Sequence, residues 1–397
     1  MHDGSSTHLA EPTISTLIML MSMGDWMLLW LGGVSLFFLT LFPPTLHYLR
    51  AKGAAKGFNS PLNSNHRPNI TIILPMRNES TNVKRKIEEV SSMTYPSERV
   101  TYIILDSGST DGTATIAERH VNTLDTNSHW MVRRIEIPGK SIAVNAAIDL
   151  VKTEYFVMMD ADSICSTDSL GRLMDWFVNP EIGAVCAQYK SQSKDLDPYR
   201  SRFNTLRIGE SALISTPIFE GSLCAFRKSA IAADRVDPAV NADDSQLAMI
   251  VSRNGFRAIM DPTLSFSEET EKVSRKRSVR RAQGLSRALF SSWRLCFSPR
   301  PFGSIMVQSI YFHLVMPWMI AIAIVFLVAS SIVGFFQEGA SVIVDHIFIS
   351  TAVPILLALL SNIGRAFLSG ISVLIESQSR FFLGQKLQVW DTIRVGE

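Results

Sequence analysis

Two carboxylates stand one residue apart at the end of an uncharged stretch. Residues 155–159 (YFVMM) are aromatic or long and apolar, which is typical of a central strand covered on both faces. Asp160 and Asp162 follow at the carboxyl end, where ligands collect in open α/β sheets. Such a pair suits a hard divalent ion that bridges to phosphate oxygens. Because Asp-x-Asp also fits a plain polar turn, the interpretation depends on the rest of the chain.

Two further strand-like stretches end in acidic residues. Residues 70–75 lead into a loop with Glu79, and residues 102–105 lead into Asp106 and Asp111. Carboxylates brought to one sheet edge can hold the donors of a base and a ribose. For Asp111, which precedes a Gly-Thr helix start, we favour a capping role. For Asp106, at the strand end itself, we favour a site role.

A lysine precedes the start of a predicted helix in the segment Pro138-Gly139-Lys140. Unpaired N–H groups at a helix start favour anions, and Lys140 adds a positive charge there. The segment lacks the glycine frame of a P-loop, which argues against an ATPase.

Adjacent acids open another predicted helix at Asp243 and Asp244. The helix dipole stabilises carboxylates at this position, so capping is the simplest interpretation. A cap needs only one acid, and the other suits a base that takes a proton from a hydroxyl group. Upstream, Glu220 and Gly221 lead into an apolar strand that suits a wall near a reacting sugar.

A basic helix is predicted from Lys272 to Trp293, with Lys276, Arg280, Gln283 and Arg287 at helical spacing. One interpretation is an amphipathic helix on anionic lipid. Gln283 and Arg287, one turn apart, can also reach a diphosphate together.

These residues need a sheet to position them. Strand-like and helix-like segments alternate between Asn69 and Asp261, which favours a mostly parallel α/β sheet with helices on both faces. The predicted strands are Ile70–Pro75, Val100–Leu105, Trp130–Ile135, Tyr155–Met159, Ile182–Gln188 and Arg257–Met260, and the predicted helices include Thr81–Val90, Gly112–His120, Ser141–Val151 and Ser169–Phe177.

The composition indicates a membrane protein with a sizeable soluble part. Of 397 residues, 47% are hydrophobic and only 19% are charged. A net charge of +2 gives no bulk attraction to nucleic acid, so no nucleic-acid partner is predicted. The four cysteines are widely spaced, which favours neither zinc nor disulfides and fits a reducing compartment.

Apolar runs at both ends predict membrane spans. The first runs from Trp26 to about residue 49, and Lys and Arg residues follow it, which places the N-terminus outside and the next part in the cytoplasm. Two more spans are predicted within residues 304–336 and 347–373, with an interfacial helix possible in the first of these runs. The predicted organisation is an N-terminal segment with a span (1–49), a linker (50–69), a cytosolic domain (70–270), an interface helix (271–300), C-terminal spans (301–375) and an amphipathic tail (376–397).

Taken together, these motifs resemble the family 2 glycosyltransferases, the inverting membrane enzymes that include hyaluronan, chitin and cellulose synthases. The resemblance runs from about Ile70 to Arg287. It implies a Rossmann-like GT-A domain in which Asp162 binds Mn²⁺ or Mg²⁺ and Asp244, beside Asp243, is the general base. It further implies that the nucleotide-sugar is held by Glu79, Asp106, Lys140, Asp160, Gln283 and Arg287, with Glu220 and Gly221 on the acceptor side.

Three positions depart from the family pattern. Ala288 stands where the synthases have a Trp that contacts the acceptor sugar, Asp243 replaces Glu, and Arg77 replaces the commoner Tyr of the first loop. The spans are also fewer than in cellulose or hyaluronan synthases.

The predicted function is transfer of a sugar, expected from a UDP-sugar, to a hydroxyl acceptor, in the manner of a polysaccharide synthase of the cell membrane. One alternative is single addition to a polyprenyl-phosphate or other lipid acceptor. An alternative of another class is a non-catalytic membrane scaffold or transporter. The sequence does not define the oligomeric state.

Overall fold

The computed structural model describes residues 25–61, 64–124, 127–190, 197–268, 274–338 and 360–387. The chain divides into two compact units. Of the described residues, those within 25–43 and 315–365 form one unit, and those within 44–314 and 366–387 form the other.

Among the described residues, the larger unit contains one sheet of eight strands, and five of the six strands listed as predicted have bounds within two residues of the observed ones. The strands are β1 (Ile70–Met76), β2 (Val100–Ser107), β3 (His129–Ile135), β4 (Tyr155–Met159), β5 (Ser163–Cys165), β6 (Ile182–Tyr189), β7 (Leu223–Arg227) and β8 (Arg257–Glu268).

The sheet is mixed but mostly parallel, as predicted. Its order is β3-β2-β1-β4-β7-β6-β8-β5. Pairs β3-β2, β2-β1, β1-β4 and β6-β8 are parallel, whereas β7 runs antiparallel to both β4 and β6, and β5 runs antiparallel to β8. Because β2, β1 and β4 are parallel neighbours, their carboxyl ends deliver Asp106, the loop with Glu79, and Asp160 to one edge.

The described residues also form helices. They are α1 (Asp25–Ala55), α2 (Val83–Ser91), α3 (Thr113–Val121), α4 (Lys140–Leu150), α5 (Ser169–Trp176), α6 (Asp197–Leu213), α7 (Lys228–Ile231), α8 (Asp243–Arg253), α9 (Arg275–Ser291), α10 (Phe302–Ile310), α11 (Met316–Glu338) and α12 (Asn362–Phe382), with a π-helical turn at Tyr311–Val315.

Both faces of the sheet are buried because side chains alternate along each strand. On β1, Ile72 and Leu74 pack against Val83 and Ile87 of α2. Ile73, between them, lies in a second core with residues of α4 and α8. This two-sided core explains why the strands read as continuous apolar runs.

Helix α2 holds the turn after β4 through two cations. Lys86, fully buried, donates from Nζ to the carbonyl oxygen and the hydroxyl of Ser163, at 3.0 and 2.9 Å, and pairs with Glu89 at 3.3 Å. Arg85 donates to the carbonyl oxygen of Ala161 at 2.9 Å. The backbone on either side of Asp162 is therefore fixed to α2.

The smaller unit contains apolar helical segments. Trp26 and Val333 are buried in one small cluster, against which Leu29 and Trp30 pack. A Cβ on Gly33 would lie 2.9 Å from the side chain of Leu327. Helices α1 and α11 therefore pack closely there. By length and composition, Trp26–Ala55 and Phe302–Gln337 suffice to cross a membrane.

Two expectations change at the boundaries, and a third lies partly outside the described residues. Helix α1 continues to Ala55, into the predicted linker, and β8 extends eight residues beyond Met260 to Glu268. Residues 347–359 of the predicted span 347–373 lie outside the described residues, and residues 362–373 form the start of α12.

Replacing Lys86 with Met should destabilise the protein by about 3 kcal/mol, because it leaves buried partners of a cation unpaired. Urea unfolding of the wild type and the variant in the same detergent measures the difference in the free energy of unfolding. Lys84→Met, on the exposed side of the same helix, is the control and should change stability by less than about 0.5 kcal/mol. Equal effects of the two substitutions would contradict the role of Lys86.

Candidate active site

A buried cluster of opposite charges lies where β4 ends and α4 and α8 begin. The Nζ atom of Lys140 lies 2.7 Å from Oδ1 of Asp160 and 3.9 Å from Oδ2 of Asp243. The hydroxyl of Ser222, at the start of β7, donates to Oδ2 of Asp160 at 3.0 Å. The structure therefore brings together three residues predicted for the site.

Electrostatics fix the charge states of this cluster. Burial alone would lower the pKa of Lys140, but the carboxylates of Asp160, Asp243 and Asp244 outweigh it and raise the pKa above its ordinary value. Burial opposes ionisation of Asp160, yet Lys140 holds the pKa of that carboxyl below its usual range. The Lys140–Asp160 pair is consequently charged at neutral pH.

Asp244 differs from Asp160 in its charge state, and burial raises the pKa of its neighbour Asp243 as well. Burial, and then the adjacent carboxylate of Asp243, raise the pKa of Asp244 to about 7. Its Oδ1 accepts a hydrogen bond from the backbone N–H of Ser245 at 2.7 Å, and a Cβ on Gly221 would lie only 2.9 Å from its Oδ2. Glycine thus leaves room for a carboxylate that is poised to exchange a proton.

The segment before Asp243 is anchored by amide side chains. Asn145 of α4 donates to the carbonyl oxygen of Val236 at 2.9 Å and accepts from its N–H at 3.1 Å. Gln246 of α8 binds the N–H of Asp237 at 2.8 Å and the carbonyl oxygen of Val240 at 3.1 Å. These bonds position the start of α8, and hence both acids.

Glu220 lies beside this acid pair. It forms a salt bridge with Arg207 of α6. Although burial raises the pKa of Glu220, Arg207 and Arg200 outweigh this and hold it below its usual range. A fixed negative charge therefore flanks Asp244, with which Glu220 interacts electrostatically.

Asp162 belongs to a second charged group, formed with helix α9 and the end of β8. Oδ2 of Asp162 lies 3.4 Å from Nη2 of Arg277, and the same nitrogen lies 3.5 Å from Glu268. Glu268 also pairs with Arg281 at 3.3 Å. Arg281 interacts electrostatically with Asp160, Asp162 and Glu220, so it links the two charged groups.

A divalent cation would fit at Asp162 as a site shared with a ligand. Among the described residues, no three His, Cys, Asp or Glu side chains come together as a complete metal site. Mg²⁺-type ions commonly take one or two carboxylates together with substrate phosphates and water. The side chain of Asp162 is 22% exposed at the strand-end edge and suits such a role.

Asp106 and Glu79 line the same edge with different surroundings. Asp106 is 4% exposed, and its Oδ1 has no hydrogen-bond partner among the described residues, which marks it for an explanation. Glu79 accepts from the side chain of Asn82 at 2.7 Å. Asp111 accepts from the N–H groups of Thr113 and Ser80 at 3.1 and 3.0 Å, which is the structural role predicted for it.

Gln283 and Arg287 are not brought to these carboxylates by their described contacts. Gln283 donates to the carbonyl oxygens of Ser377 and Gln385 and accepts from the N–H of Leu387. Arg287 donates to the carbonyl oxygen of Ala239 at 2.6 Å and lies over the ring of Phe381. These contacts join α9 to α12 and to the loop before α8. The predicted diphosphate role of these two residues stays untested.

The packing around Ala288 explains why a small residue stands at this position. Ala288 is fully buried in a small core with Val240, Leu289 and Phe302. A Trp would not fit there, so the departure from the synthase pattern at this position reflects packing.

Sequence reasoning did not identify four residues of the site: Ser222, Glu268, Arg277 and Arg281. The signal for Arg277 and Arg281 was present, since they also lie one helical turn apart. Helical spacing alone does not say which of two polar stripes faces the sheet edge. Glu268 was missed because Pro262 ended the predicted strand.

Comparison with known proteins shows which family residues 71–233 resemble. Residues 71–233 match the family described as Glycosyl transferase family 2. The poly-beta-1,6-N-acetyl-D-glucosamine synthase of Staphylococcus epidermidis is 28% identical over 171 residues, 41% of this chain and 40% of that protein. The synthase of the same name from Staphylococcus aureus is 24% identical over 241 residues, 57% of each chain.

The matches to these synthases span about half of their length, whereas a solved structure matches almost throughout. The mannosyltransferase PcManGT from Pyrobaculum calidifontis, in complex with GDP-Man and Mn²⁺, superimposes with a TM-score of 0.79 at 27% identity. The match covers 90% of this chain and 99% of that one. The predicted resemblance and the predicted Rossmann-like GT-A fold are confirmed.

Replacing Asn145 with Ala should loosen the segment before α8, because both of its bonds to Val236 are lost. We expect the backbone amides of residues 236–243 to exchange hydrogen at least about tenfold faster, the effect of losing roughly 1.4 kcal/mol of local stability. Hydrogen exchange followed by mass spectrometry measures this. Asn122→Ala, at an exposed position, is the control; unchanged exchange at 236–243 in Asn145→Ala would contradict the anchoring role.

Proposed function

We propose that this chain, whose residues 71–233 form a family 2 glycosyltransferase domain, moves a hexosyl group from a nucleotide-sugar to a hydroxyl acceptor with inversion. The observation that carries the proposal is the raised pKa of Asp244 beside the charged Lys140–Asp160 pair at the strand-end edge. In such a site, Lys140 can bind a diphosphate while Asp244 accepts a proton.

Asp244 is the general base in this proposal. The acceptor oxygen attacks the anomeric carbon, its proton passes to Asp244, and the bond from that carbon to the diphosphate oxygen breaks. Because the nucleophile and the leaving group lie on opposite sides of the carbon, one displacement inverts the configuration. Asp243 keeps the pKa of Asp244 high enough for proton transfer near neutral pH.

The donor binds along the edge formed by β1, β2 and β4. Asp106 and Glu79 would receive the nucleoside, since the buried Asp106 has an oxygen available for a hydrogen bond. Lys140 would contact the phosphates, and Asp160 would hold the ammonium group of Lys140 in place for the donor. Asp162 would hold Mn²⁺ or Mg²⁺, which when bound offsets the charge of the departing diphosphate.

Arg277 and Arg281 would steady the diphosphate. They contact Asp162 and Glu268, whereas the described partners of Gln283 and Arg287 are backbone carbonyl and N–H groups away from the carboxylates. Guanidinium groups suit the planar, paired oxygens of phosphates. This assignment moves the predicted role by about one and a half helical turns along α9.

A similar solved structure supports the choice of donor, and the apolar helices support the location. PcManGT, whose match covers 90% of this chain, was solved with GDP-Man and Mn²⁺, so GDP-mannose is the first donor to test, ahead of the UDP-sugars that the sequence suggested. The long apolar helices support an integral protein of the cell membrane, with the N-terminus outside and the catalytic domain in the cytoplasm.

The experiment follows nucleotide diphosphate release by protein in lipid nanodiscs with Mn²⁺, GDP-mannose and a panel of UDP-sugars. One donor should be turned over, and Asp244→Asn should reduce kcat about 10²- to 10⁴-fold, the usual contribution of a general base. Asp162→Ala should also raise the Mn²⁺ concentration needed. No turnover of any donor would support a non-catalytic scaffold instead.

The activity should depend on pH through Asp244. Its raised pKa means that the base form predominates only above pH about 7, so kcat/KM should fall about tenfold per pH unit below that value. A pH profile of the wild type and of Asp244→Glu measures this. A flat profile between pH 5.5 and 7.5 would contradict Asp244 as the base.

Arg277→Gln should weaken the binding of the nucleoside diphosphate about tenfold, because one charge-assisted hydrogen bond is lost. Titration calorimetry with GDP and Mn²⁺ measures the affinity. Gln283→Leu, the matched change on the other face of α9, should leave that affinity unchanged while lowering the melting temperature. The reverse pattern would restore the diphosphate role of Gln283.

A further inference from the structure

An apolar cavity of about 220 Å³ lies in the larger unit, beside the candidate active site. Its walls come from α6, α9, the π-helical turn and α12. The lining residues are Phe203, Arg281, Ala282, Leu285, Phe312, His313, Phe367, Gly370, Ile371, Val373 and Leu374.

The lining is apolar except for Arg281 and His313. Three phenylalanines and several aliphatic side chains form the walls, and Phe203 meets Phe312 edge to face at 6.0 Å. The π-helical turn is held to α12, since the side chain of Gln378 donates to the carbonyl oxygen of His313 at 2.9 Å. Single π-helical turns inside longer helices occur frequently at functional sites.

Arg281 joins this cavity to the catalytic carboxylates. It lines the cavity and also pairs with Glu268, which shares Arg277 with Asp162. It further interacts with Glu220, next to the Asp244 that serves as the base. A molecule in the cavity therefore has one end at Arg281, whose guanidinium group pairs with Glu268 at the edge of the candidate site.

The charges near Arg281 indicate whether the acceptor group at Asp244 is a phosphate or a neutral hydroxyl group. Carboxylates already surround Arg281. A phosphate acceptor would add a further negative charge and would need no base. A neutral hydroxyl group fits both the charge balance and the proton acceptor.

We propose that this cavity holds the hydrocarbon part of the acceptor, and that the acceptor is an uncharged amphiphile with its hydroxyl group at Asp244. This inference rests on the proposed function and narrows its acceptor class. At about 30 Å³ for each water-sized group, the cavity has room for roughly seven methylene groups.

The test compares n-octyl glycosides with the parent free sugars as acceptors, below the micelle concentration, for the enzyme in nanodiscs. Glucose, mannose and N-acetylglucosamine form the panel. We expect the octyl glycoside of the accepted sugar to exceed the free sugar at least tenfold in kcat/KM. An enzyme that turns over its donor but treats both acceptors equally would overturn the cavity assignment alone.

Two substitutions locate the effect. Leu285→Trp fills the cavity and should reduce the octyl preference to less than threefold. Phe290→Trp, an exposed position on the same helix, is the matched control and should keep the preference. Phe367→Ala enlarges the cavity and should shift the best chain length from octyl towards dodecyl.

Other occupants give other results. If Leu285→Trp and Phe367→Ala both leave the chain-length preference unchanged, the cavity holds a bilayer lipid or another part of this chain, and the inference is wrong. A preference for an alkyl phosphate over the octyl glycoside would also overturn it. Failure of the wild type to release nucleotide diphosphate from every donor would instead overturn the transferase proposal.

Discussion

The ion pair between Lys140 and Asp160 is the interaction on which the candidate site depends. One ammonium group lies among three carboxylates in a largely buried place, and its charge keeps Asp160 ionised. The same charge does not suffice for Asp244, which burial and Asp243 leave with a pKa of about 7. Asp160 and Asp244 thus have different charge states at neutral pH, and their surroundings give them different roles. A diphosphate entering this place would meet fixed positive groups on one side and a proton acceptor on the other.

The rest of the larger unit holds this arrangement in register. The parallel order of β2, β1 and β4 sets the edge, helix α2 fixes the backbone around Asp162 through Arg85 and Lys86, and Asn145 anchors the chain before α8. Glycine at 284 allows α9 to approach the carbonyl oxygen of Asn241, where a Cβ would lie at 2.1 Å. Helix α9 consequently reaches both groups of carboxylates. Precision in the site comes from backbone contacts that side-chain motifs do not reveal.

Several carboxylates at the sheet edge were predictable from the sequence, because an apolar run followed by an acidic residue indicates the carboxyl end of a strand. Apolar runs followed by carboxylates gave Asp106, Asp160 and Asp162, and two acids at a helix start gave Asp244. Helix α9 was harder, since its arginines and Gln283 recur at helical spacing on more than one stripe, and only tertiary packing decides which stripe faces the edge. Glu268 required knowledge that β8 continues past Pro262, and the apolar cavity arises from segments about 170 residues apart along the chain.

The central claim is a single in-line displacement with Asp244 taking the acceptor proton. Proton NMR of the product, recorded early in the reaction with a donor of α configuration such as GDP-mannose, tests it most directly. The account predicts that the first product formed has the β configuration, and that Asp244→Asn suppresses its formation. A product with retained α configuration would contradict the account, because it requires two displacements or a different geometry of attack.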